Sequence, residues 1–265
     1  MEVALDGKTV ALRKSHGDGP VQLWDLQTGE LKSTMKGEWQ RSQENASGTG
    51  FTHGGLFITS YDGGIRIEDL IGGRDDVVLT TDPGVGSFLT RSGDGRVLAA
   101  RLSQTQIGFW SVPEGSSLGT IDVPLGSNLH WERFALSYDG RWLAYCSSPE
   151  KSLVLWDRIS GQSRKSPIND VIATPVSMTF APDGKTLVLA TNDGSVFFWN
   201  VATLREIMRE VNLAGNYSTA KFSANGEYLA LPLTLRRAPL LAEIEAVERA
   251  KAQDGLAAAK EAVAK

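Results

Sequence analysis

One pentapeptide of this sequence has the spacing of a catalytic serine. Gly115-Ser116-Ser117-Leu118-Gly119 matches G-x-S-x-G, in which the serine lies on a tight turn between a strand and a helix. Here the pentapeptide takes the place that Gln27-Thr28-Gly29 and Ser160-Gly161-Gln162 take elsewhere, between two short runs that read as strands. A turn of this kind has no helix after it, so we interpret the pentapeptide as a hairpin turn without a nucleophile.

Signals for a metal or a cofactor are weak as well. His16, His53 and His130 fall at different points of the chain without a common spacing, so they predict no metal site. Cys146 is the only cysteine, and its place at the end of an apolar run predicts a buried, inert thiol. Gly84-Val85-Gly86 lacks the third glycine of a dinucleotide-binding loop. We expect no catalytic residue, no metal, no cofactor and no enzyme activity.

A recurring aspartate suggests structure rather than acid chemistry. It stands directly before a glycine in a short polar turn, and an aspartate there can accept hydrogen bonds from nearby backbone amides and hold a hairpin together. We therefore predict turn roles at this repeat position for the following residues: Asp6, Asp94, Asp139 and Asp183.

A tryptophan follows each of these turns, 18, 16, 17 and 16 residues after the aspartate, at Trp24, Trp110, Trp156 and Trp199. One copy carries Glu68 in place of the tryptophan, and successive copies lie 44, 42, 46 and 43 residues apart. A nearly constant internal distance within a drifting period indicates a fixed hairpin core with loops of variable length. Alternation of apolar and polar residues predicts four short strands per copy, and a sixth copy from Tyr217 has two clear strands.

These repeats resemble those of the Trp-Asp (WD) repeat β-propeller family in its prokaryotic style. The resemblance covers about residues 1–235 and rests on two kinds of motif: Phe180-Ala181-Pro182-Asp183-Gly184-Lys185 and Leu136-Ser137-Tyr138-Asp139-Gly140-Arg141 before the second strand, and Trp24-Asp25, Trp156-Asp157, Trp199-Asn200 and Trp110-Ser111 in the third. No Gly-His dipeptide opens a repeat, so the family's histidine-to-tryptophan hydrogen bonds are not expected here. The resemblance implies an all-β propeller of four-stranded antiparallel blades, five full and a partial sixth.

The C-terminal residues differ in composition from the repeats. Residues 239–265 are rich in Ala, Glu and Lys, and Leu241, Ile244, Val247 and Ala250 form a helical stripe. We predict a propeller domain at 1–238 and a helical tail at 239–265, with the helix itself at 239–253. In the alternative, this region forms the third strand of the sixth copy, with Leu241 at the position of the repeated tryptophan, 16 residues after Asn225. The sequence is compatible both with a closed ring and with a partial propeller.

Loops that depart from the repeat are the candidates for partner binding. They carry aromatic, histidine and arginine side chains, a composition typical of interface hot spots: Trp39, Arg41, His130, Trp131, Arg133 and Tyr217. The alternative is that these side chains fold back and cap the blades.

The sequence therefore favours a non-enzymatic scaffold that mediates protein–protein interactions. The alternatives are an enzyme or small-molecule or sugar binder that uses the central channel, and a purely structural spacer. A net charge of -4 disfavours nucleic acid as a partner, and no apolar run is long enough to predict a membrane span. Without a basic and apolar leader we expect a cytoplasmic protein, and self-association if the ring is incomplete.

Overall fold

The computed structural model describes residues 2–3, 7–12, 22–34, 50–52, 56–61, 64–69, 74–81, 89–103, 105–123, 134–147, 150–168, 175–210, 220–223, 225–231, 234–238, 243, 246, 249 and 253. These residues form six antiparallel sheets, and in every sheet each strand pairs with the strands next to it in sequence. The chain divides into two compact units, Met1–Leu129 and His130–Lys265.

The first unit contains three four-stranded sheets. Sheet 1 consists of β1 (Glu2–Val3), β2 (Thr9–Leu12), β3 (Gln22–Asp25) and β4 (Leu31–Thr34). Sheet 2 consists of β5 (Gly50–Phe51), β6 (Leu56–Tyr61), β7 (Gly64–Asp69) and β8 (Val77–Thr80). Sheet 3 consists of β9 (Leu89–Arg91), β10 (Val97–Arg101), β11 (Gln106–Ser111) and β12 (Ser117–Asp122).

The second unit contains two four-stranded sheets and one three-stranded sheet. Sheet 4 consists of β13 (Phe134–Leu136), β14 (Trp142–Ser147), β15 (Ser152–Asp157) and β16 (Ser163–Pro167). Sheet 5 consists of β17 (Pro175–Phe180), β18 (Thr186–Thr191), β19 (Val196–Asn200) and β20 (Arg205–Glu210). Sheet 6 consists of β21 (Lys221–Phe222), β22 (Tyr228–Leu231) and β23 (Thr234–Arg237).

The prediction of all-β, four-stranded antiparallel units is confirmed for five of the sheets. The third strands of sheets 1, 3, 4 and 5 hold the repeated tryptophan, and the second and third strands are buried throughout in sheet 5, as β18 and β19 show. Apolar residues are buried between neighbouring sheets: one cluster joins sheets 2 and 3, a second joins sheets 4 and 5, and a third joins sheets 5 and 6. Each sheet of these pairs therefore forms a side of an apolar layer that it shares with the next sheet along the chain.

Sheet 6 corrects the alternative that was kept beside the helical tail. That alternative placed a third strand around Leu241, but the third strand lies at β23, where Leu231 pairs directly with Thr234 across a two-residue connection. Leu229 pairs with Arg236 just as Leu187 pairs with Trp199 in sheet 5, so Arg236 takes the tryptophan place 11 residues after Asn225. The β22–β23 hairpin is shorter than the corresponding β14–β15 hairpin of sheet 4. The first two strands are confirmed.

The C-terminal tail is described at four positions. Glu243, Ala246, Arg249 and Gln253 have helical backbone and are exposed, while the remaining tail residues lie outside the described part of the chain. The helix at 239–253 and the division into domains at 1–238 and 239–265 stay predictions.

Candidate partner-binding surface

The loop residues predicted to bind a partner lie outside the described part of the chain, so their role stays a prediction. They are Trp39, Arg41, His130, Trp131, Arg133 and Tyr217, and the first of the repeated aspartates, Asp6, lies outside it as well.

The described aspartates of the repeat make the hydrogen bonds of a structural turn. In sheet 4, Asp139 Oδ1 accepts a hydrogen bond from Ser137 Oγ at 2.5 Å and another from the backbone amide of Arg141 at 3.0 Å. Ser137 Oγ in turn accepts from the amide of Trp142 at 2.9 Å, and Gly140 supplies the positive φ of 67° that closes the turn. These bonds, with burial opposing them, lower the pKa of Asp139. A carboxylate engaged in this way serves the hairpin.

Other copies repeat this turn with small changes. Asp94 of sheet 3 accepts from Ser92 Oγ and from the amide of Arg96, and Asp183 of sheet 5 accepts from the amide of Lys185 at 2.9 Å. In sheet 6 the carboxylate is replaced by Asn225, whose Oδ1 accepts the corresponding two bonds. The repeated position therefore requires a side-chain oxygen and no ionisable acid.

The aspartate of each Trp-Asp dipeptide caps the next turn. Asp25 Oδ1 accepts from the amides of Gln27 and Thr28 at 2.8 and 3.0 Å, and Asp157 Oδ1 accepts from the amide of Ile159 at 3.0 Å. Hydrogen bonds from Thr28, Lys32 and Gln27 lower the pKa of Asp25 to about 2. This is the structural role that the Trp-Asp motif takes in the described sheets.

Sheet 4 adds an arginine clamp to the motif. Arg141 donates to both carboxylate oxygens of Asp157, Nε to Oδ1 at 3.1 Å and Nη2 to Oδ2 at 2.7 Å. The guanidinium groups of Arg141 and Arg164 lie 5.2 and 5.1 Å from the Trp142 ring centroid. Arg164 also donates to the backbone carbonyl oxygens of Val201 and Ala202, and so links sheet 4 to the turn after β19. The cluster fastens sheets 4 and 5 together.

The residues that could do chemistry are placed as structural residues. Ser117 begins β12 and is exposed, and its hydroxyl accepts from the Gly119 amide at 3.3 Å, so a strand follows the turn where a nucleophile elbow needs a helix. Burial raises the pKa of the Cys146 thiol to about 12, which confirms the buried, inert cysteine. His16, His53 and His130 lie outside the described residues.

Within the described ranges, no three His, Cys, Asp or Glu side chains come close enough to bind a metal ion. Among those same residues, no helix is both long enough and apolar enough to span a membrane.

Glu68 is a buried acid at the place where sheets 1, 3, 4 and 5 carry tryptophan. It is 5% exposed, and its Oε2 has no hydrogen-bond partner among the described residues. Burial, with a smaller contribution from the carboxylate of Asp76, raises the pKa of Glu68 to about 7, although Arg66 lies 3.9 Å away and opposes the shift. Ile65 and Ile67 pack towards sheet 3, so Glu68 faces the other side of its sheet.

The exposed face of sheet 6 carries apolar and basic side chains, a composition typical of a protein-binding surface. In β22, exposed Tyr228 and Ala230 alternate with buried Leu229 and Leu231, whereas the second strands of sheets 3 and 5 are buried throughout. Tyr228 and Ala230 pair with Arg237 and Leu235, which are exposed as well. We call this set, with Lys221 opposite Ala230, the sheet 6 face: Lys221, Tyr228, Ala230, Leu235 and Arg237.

The sheet 6 face combines apolar and basic side chains. Leu235 is 70% exposed and Tyr228 is 46% exposed, and Arg237 keeps 65% of its side chain exposed while its Nη2 bonds Glu243 Oε1 at 2.8 Å. The sequence prediction missed this surface because it ended the sheet at two strands. The alternation in Thr234-Leu235-Arg236-Arg237 was the signal that could have revealed a third strand with an exposed side.

Comparison with known proteins gives one partial match. A stretch of 108 residues, 40% of this chain, is 30% identical to the periodic tryptophan protein 2 homolog of Schizosaccharomyces pombe and spans 12% of that protein's length. No protein-family model matches the sequence. The similarity and the four-stranded antiparallel sheets together support the resemblance to WD-repeat propellers at the level of the family. The prokaryotic style of the repeats and the closure of a ring stay predictions.

Proposed function

We propose that this chain is a non-enzymatic WD-repeat scaffold that binds other proteins. The observation that carries the proposal is the sheet 6 face, where Tyr228 and Leu235 expose apolar surface beside the basic Arg237. Aromatic and arginine side chains around an apolar centre are typical of protein–protein interfaces. The partial similarity to a WD-repeat protein fits this general role, because propellers of this family serve as interaction scaffolds.

Two further points support a binding role without catalysis. The described aspartates of the repeat, Asp94, Asp139 and Asp183, are engaged in turn hydrogen bonds, and the one cysteine is buried with a raised pKa. The net charge of -4 provides no general attraction for nucleic acid. Proteins are therefore the partner class that we propose, and the cytoplasmic location expected from the sequence stays a prediction.

The proposal is tested by comparing two equally exposed leucine-sized side chains. Leu235→Asp places a charge in the sheet 6 face, while Ile159→Asp makes a matched change in the turn after β15, where Ile159 is 68% exposed. Immobilised wild type and both variants are incubated with cell extract, and the captured proteins are quantified by mass spectrometry. We expect specific partners to bind the wild type and Ile159→Asp, and their recovery to fall at least tenfold with Leu235→Asp.

Equal recovery by all three proteins would remove the sheet 6 face as the binding surface. Loss with both aspartate variants would indicate non-specific hydrophobic capture and would count against a specific scaffold. Circular dichroism of each variant checks that the sheets are intact before capture is compared.

A further inference from the structure

We infer that the outer edge of β23, which pairs with no described strand, binds an extended acidic segment of a partner protein as a fourth, antiparallel strand of sheet 6. The inference rests on the proposed scaffold function and specifies the chemistry of its partner.

The first step is that β23 is the equivalent of the third strand in the complete sheets. The Ala238 amide, after β23, donates to the Glu227 carbonyl at 2.7 Å, and the Val201 amide, after β19, donates to the Lys185 carbonyl at 2.9 Å. Sheet 3 has the same bond from Val112 to Arg96. In the five complete sheets the third strand pairs on its far side with a fourth strand, β4, β8, β12, β16 or β20, and in sheet 6 no described strand takes that place.

The second step is the direction of the backbone groups of β23. The Tyr228 carbonyl accepts from Ser223 on the β21 side, so in β22 the groups that point to β23 are those of Leu229 and Leu231. Their partners are Arg236 and Thr234. The amide and carbonyl groups of Leu235 and Arg237 therefore point away from the sheet, with the spacing that an added antiparallel strand needs.

The third step is the charge of the edge. Two of its four residues are arginines, and like charges facing each other oppose the pairing of β23 with the same strand of a second copy. A carboxylate already bonds to Arg237, since Glu243 Oε1 lies 2.8 Å from its Nη2. The position beside Arg237 therefore suits a carboxylate, and a carboxylate from an incoming strand would take the place of Glu243, which makes an acidic segment the complementary partner.

Sheet 5 supplies a template for the order of residues in that segment. Across from β19, Glu206 pairs with Trp199 and Met208 pairs with Phe198, and these two positions correspond to Arg236 and Leu235 in sheet 6. We place an acidic residue opposite each arginine and an apolar residue opposite Leu235. Because the added strand is antiparallel, its core reads Glu-Glu-Val-Thr, opposite Arg237, Arg236, Leu235 and Thr234 in that order. The apolar residue would extend the exposed patch of Tyr228 and Leu235.

The test measures binding of a fluorescein-labelled ten-residue peptide with this core to the full chain by fluorescence anisotropy. Leu235→Pro removes the outward amide together with the leucine side chain and spares the β22–β23 ladder, because an edge strand tolerates proline where its amide faces away. Arg237→Glu reverses a charge on the edge, and Arg205→Glu makes the same change on β20 as the matched control. The second peptide has the core Lys-Lys-Val-Thr.

We expect the acidic peptide to bind the wild type and Arg205→Glu alike, and to bind Leu235→Pro and Arg237→Glu at least tenfold more weakly. The lysine peptide should prefer Arg237→Glu over the wild type. If Leu235→Pro does not fold, the inference is tested by Arg237→Glu alone, through its preference for the lysine peptide over the acidic one. Equal binding of the acidic peptide to the wild type and Arg237→Glu, or none to the folded wild type, overturns the inference.

Two outcomes separate this inference from the proposed function. In the first, the acidic peptide does not bind, but Leu235→Asp still captures fewer proteins than the wild type. That result supports the scaffold function and contradicts the added strand. Sedimentation velocity of the wild type over a hundredfold range of concentration tests whether two copies of the chain pair through β23. A dimer that Leu235→Pro abolishes would assign the edge to self-pairing and overturn the acidic partner.

Discussion

Sheets 5 and 2 fill the same repeat position with opposite chemistry. In sheet 5 the position is Trp199, 3% exposed, and in sheet 2 it is Glu68, 5% exposed. The cross-strand neighbour changes in the other direction, from Leu187 to Phe57. Ring and smaller side chain have exchanged strands, and the pair of Phe57 and Glu68 is smaller than the pair of Leu187 and Trp199. The position is buried in both of these sheets, and indole is only one way to fill it.

The polar cost of this exchange is visible in sheet 2. Glu68 keeps an oxygen without a hydrogen-bond partner among the described residues. Thr59 lies diagonal to Glu68 on β6, and its buried hydroxyl has no hydrogen-bond partner among those residues either. An unsatisfied buried polar group costs free energy. Sheet 5 has such a group as well, because Trp199 Nε1 is buried without a hydrogen-bond partner among the described residues. The two sheets therefore differ in the kind of group: the one in sheet 2 is a carboxyl that can ionise, and the one in sheet 5 is an indole N–H that does not. Three experiments test this difference.

The largest effect is expected for Trp199→Ala. Trp199 packs in the cluster that joins sheets 4 and 5, so its truncation leaves a large cavity and should lower the free energy of unfolding by about 3–5 kcal/mol. Urea unfolding followed by circular dichroism measures the change. Trp156→Ala is the control, because Trp156 is only half-buried and should cost clearly less. Equal losses in the two variants would contradict burial as the determinant.

A smaller and pH-dependent effect is expected for Glu68→Gln. The pKa of Glu68 is about 7 in the folded chain against an ordinary 4.5, so the folded state holds a proton that the unfolded state has released in between. Wild-type stability should therefore fall as pH rises from about 4.5 to 7, by roughly 3 kcal/mol. Glutamine does not titrate, so the variant should match the wild type near pH 4.5 and exceed it at pH 8.

Urea midpoints of the wild type and Glu68→Gln at pH 5, 6, 7 and 8 measure this dependence. Glu30→Gln, an exposed change in sheet 1, is the control and should leave the pH dependence of the wild type as it is. A constant difference between Glu68→Gln and the wild type across the range would show that the carboxyl does not titrate there.

The smallest effect is expected from converting sheet 2 to the pattern of sheet 5. Phe57→Leu alone should open a cavity, and Glu68→Trp alone should overfill the space beside Phe57. Together they restore the pair found in sheet 5, so the double variant should be more stable than the two single effects predict, by about 1 kcal/mol. A double-mutant cycle in urea measures this coupling, and strict additivity would show that the two side chains do not share one volume.

The regular parts of the chain were predictable from local patterns. The turn aspartates and the strands around the repeated tryptophans follow from glycine turns and two-residue alternation, which depend on neighbouring residues alone. The place of β23 was not predictable by period, because the connection before it has a free length and Arg236-Arg237 stands where the motif has Trp-Asp. The exchange between Phe57 and Glu68 needed the register of two strands, which spacing alone does not provide.

The candidate surface was less predictable than the fold. The predicted binding residues lie on loops outside the described chain, whereas the sheet 6 face consists of ordinary strand residues. Leu235 has the same alternation as buried leucines such as Leu187, and only the partners of its sheet decide that one is exposed and the other is not. Burial is a tertiary property, so alternation identifies two faces of a strand without saying which of them a neighbouring sheet will cover.

The consecutive pairing of strands in every sheet has a consequence for synthesis on the ribosome. No described strand pairs with one from a distant part of the sequence, so the loops that must close before a sheet forms are short. Each sheet can therefore form soon after its own residues leave the exit tunnel, and it then offers an apolar side to the sheet that emerges next. Folding in this order is directional, and sheet 6 follows the other five.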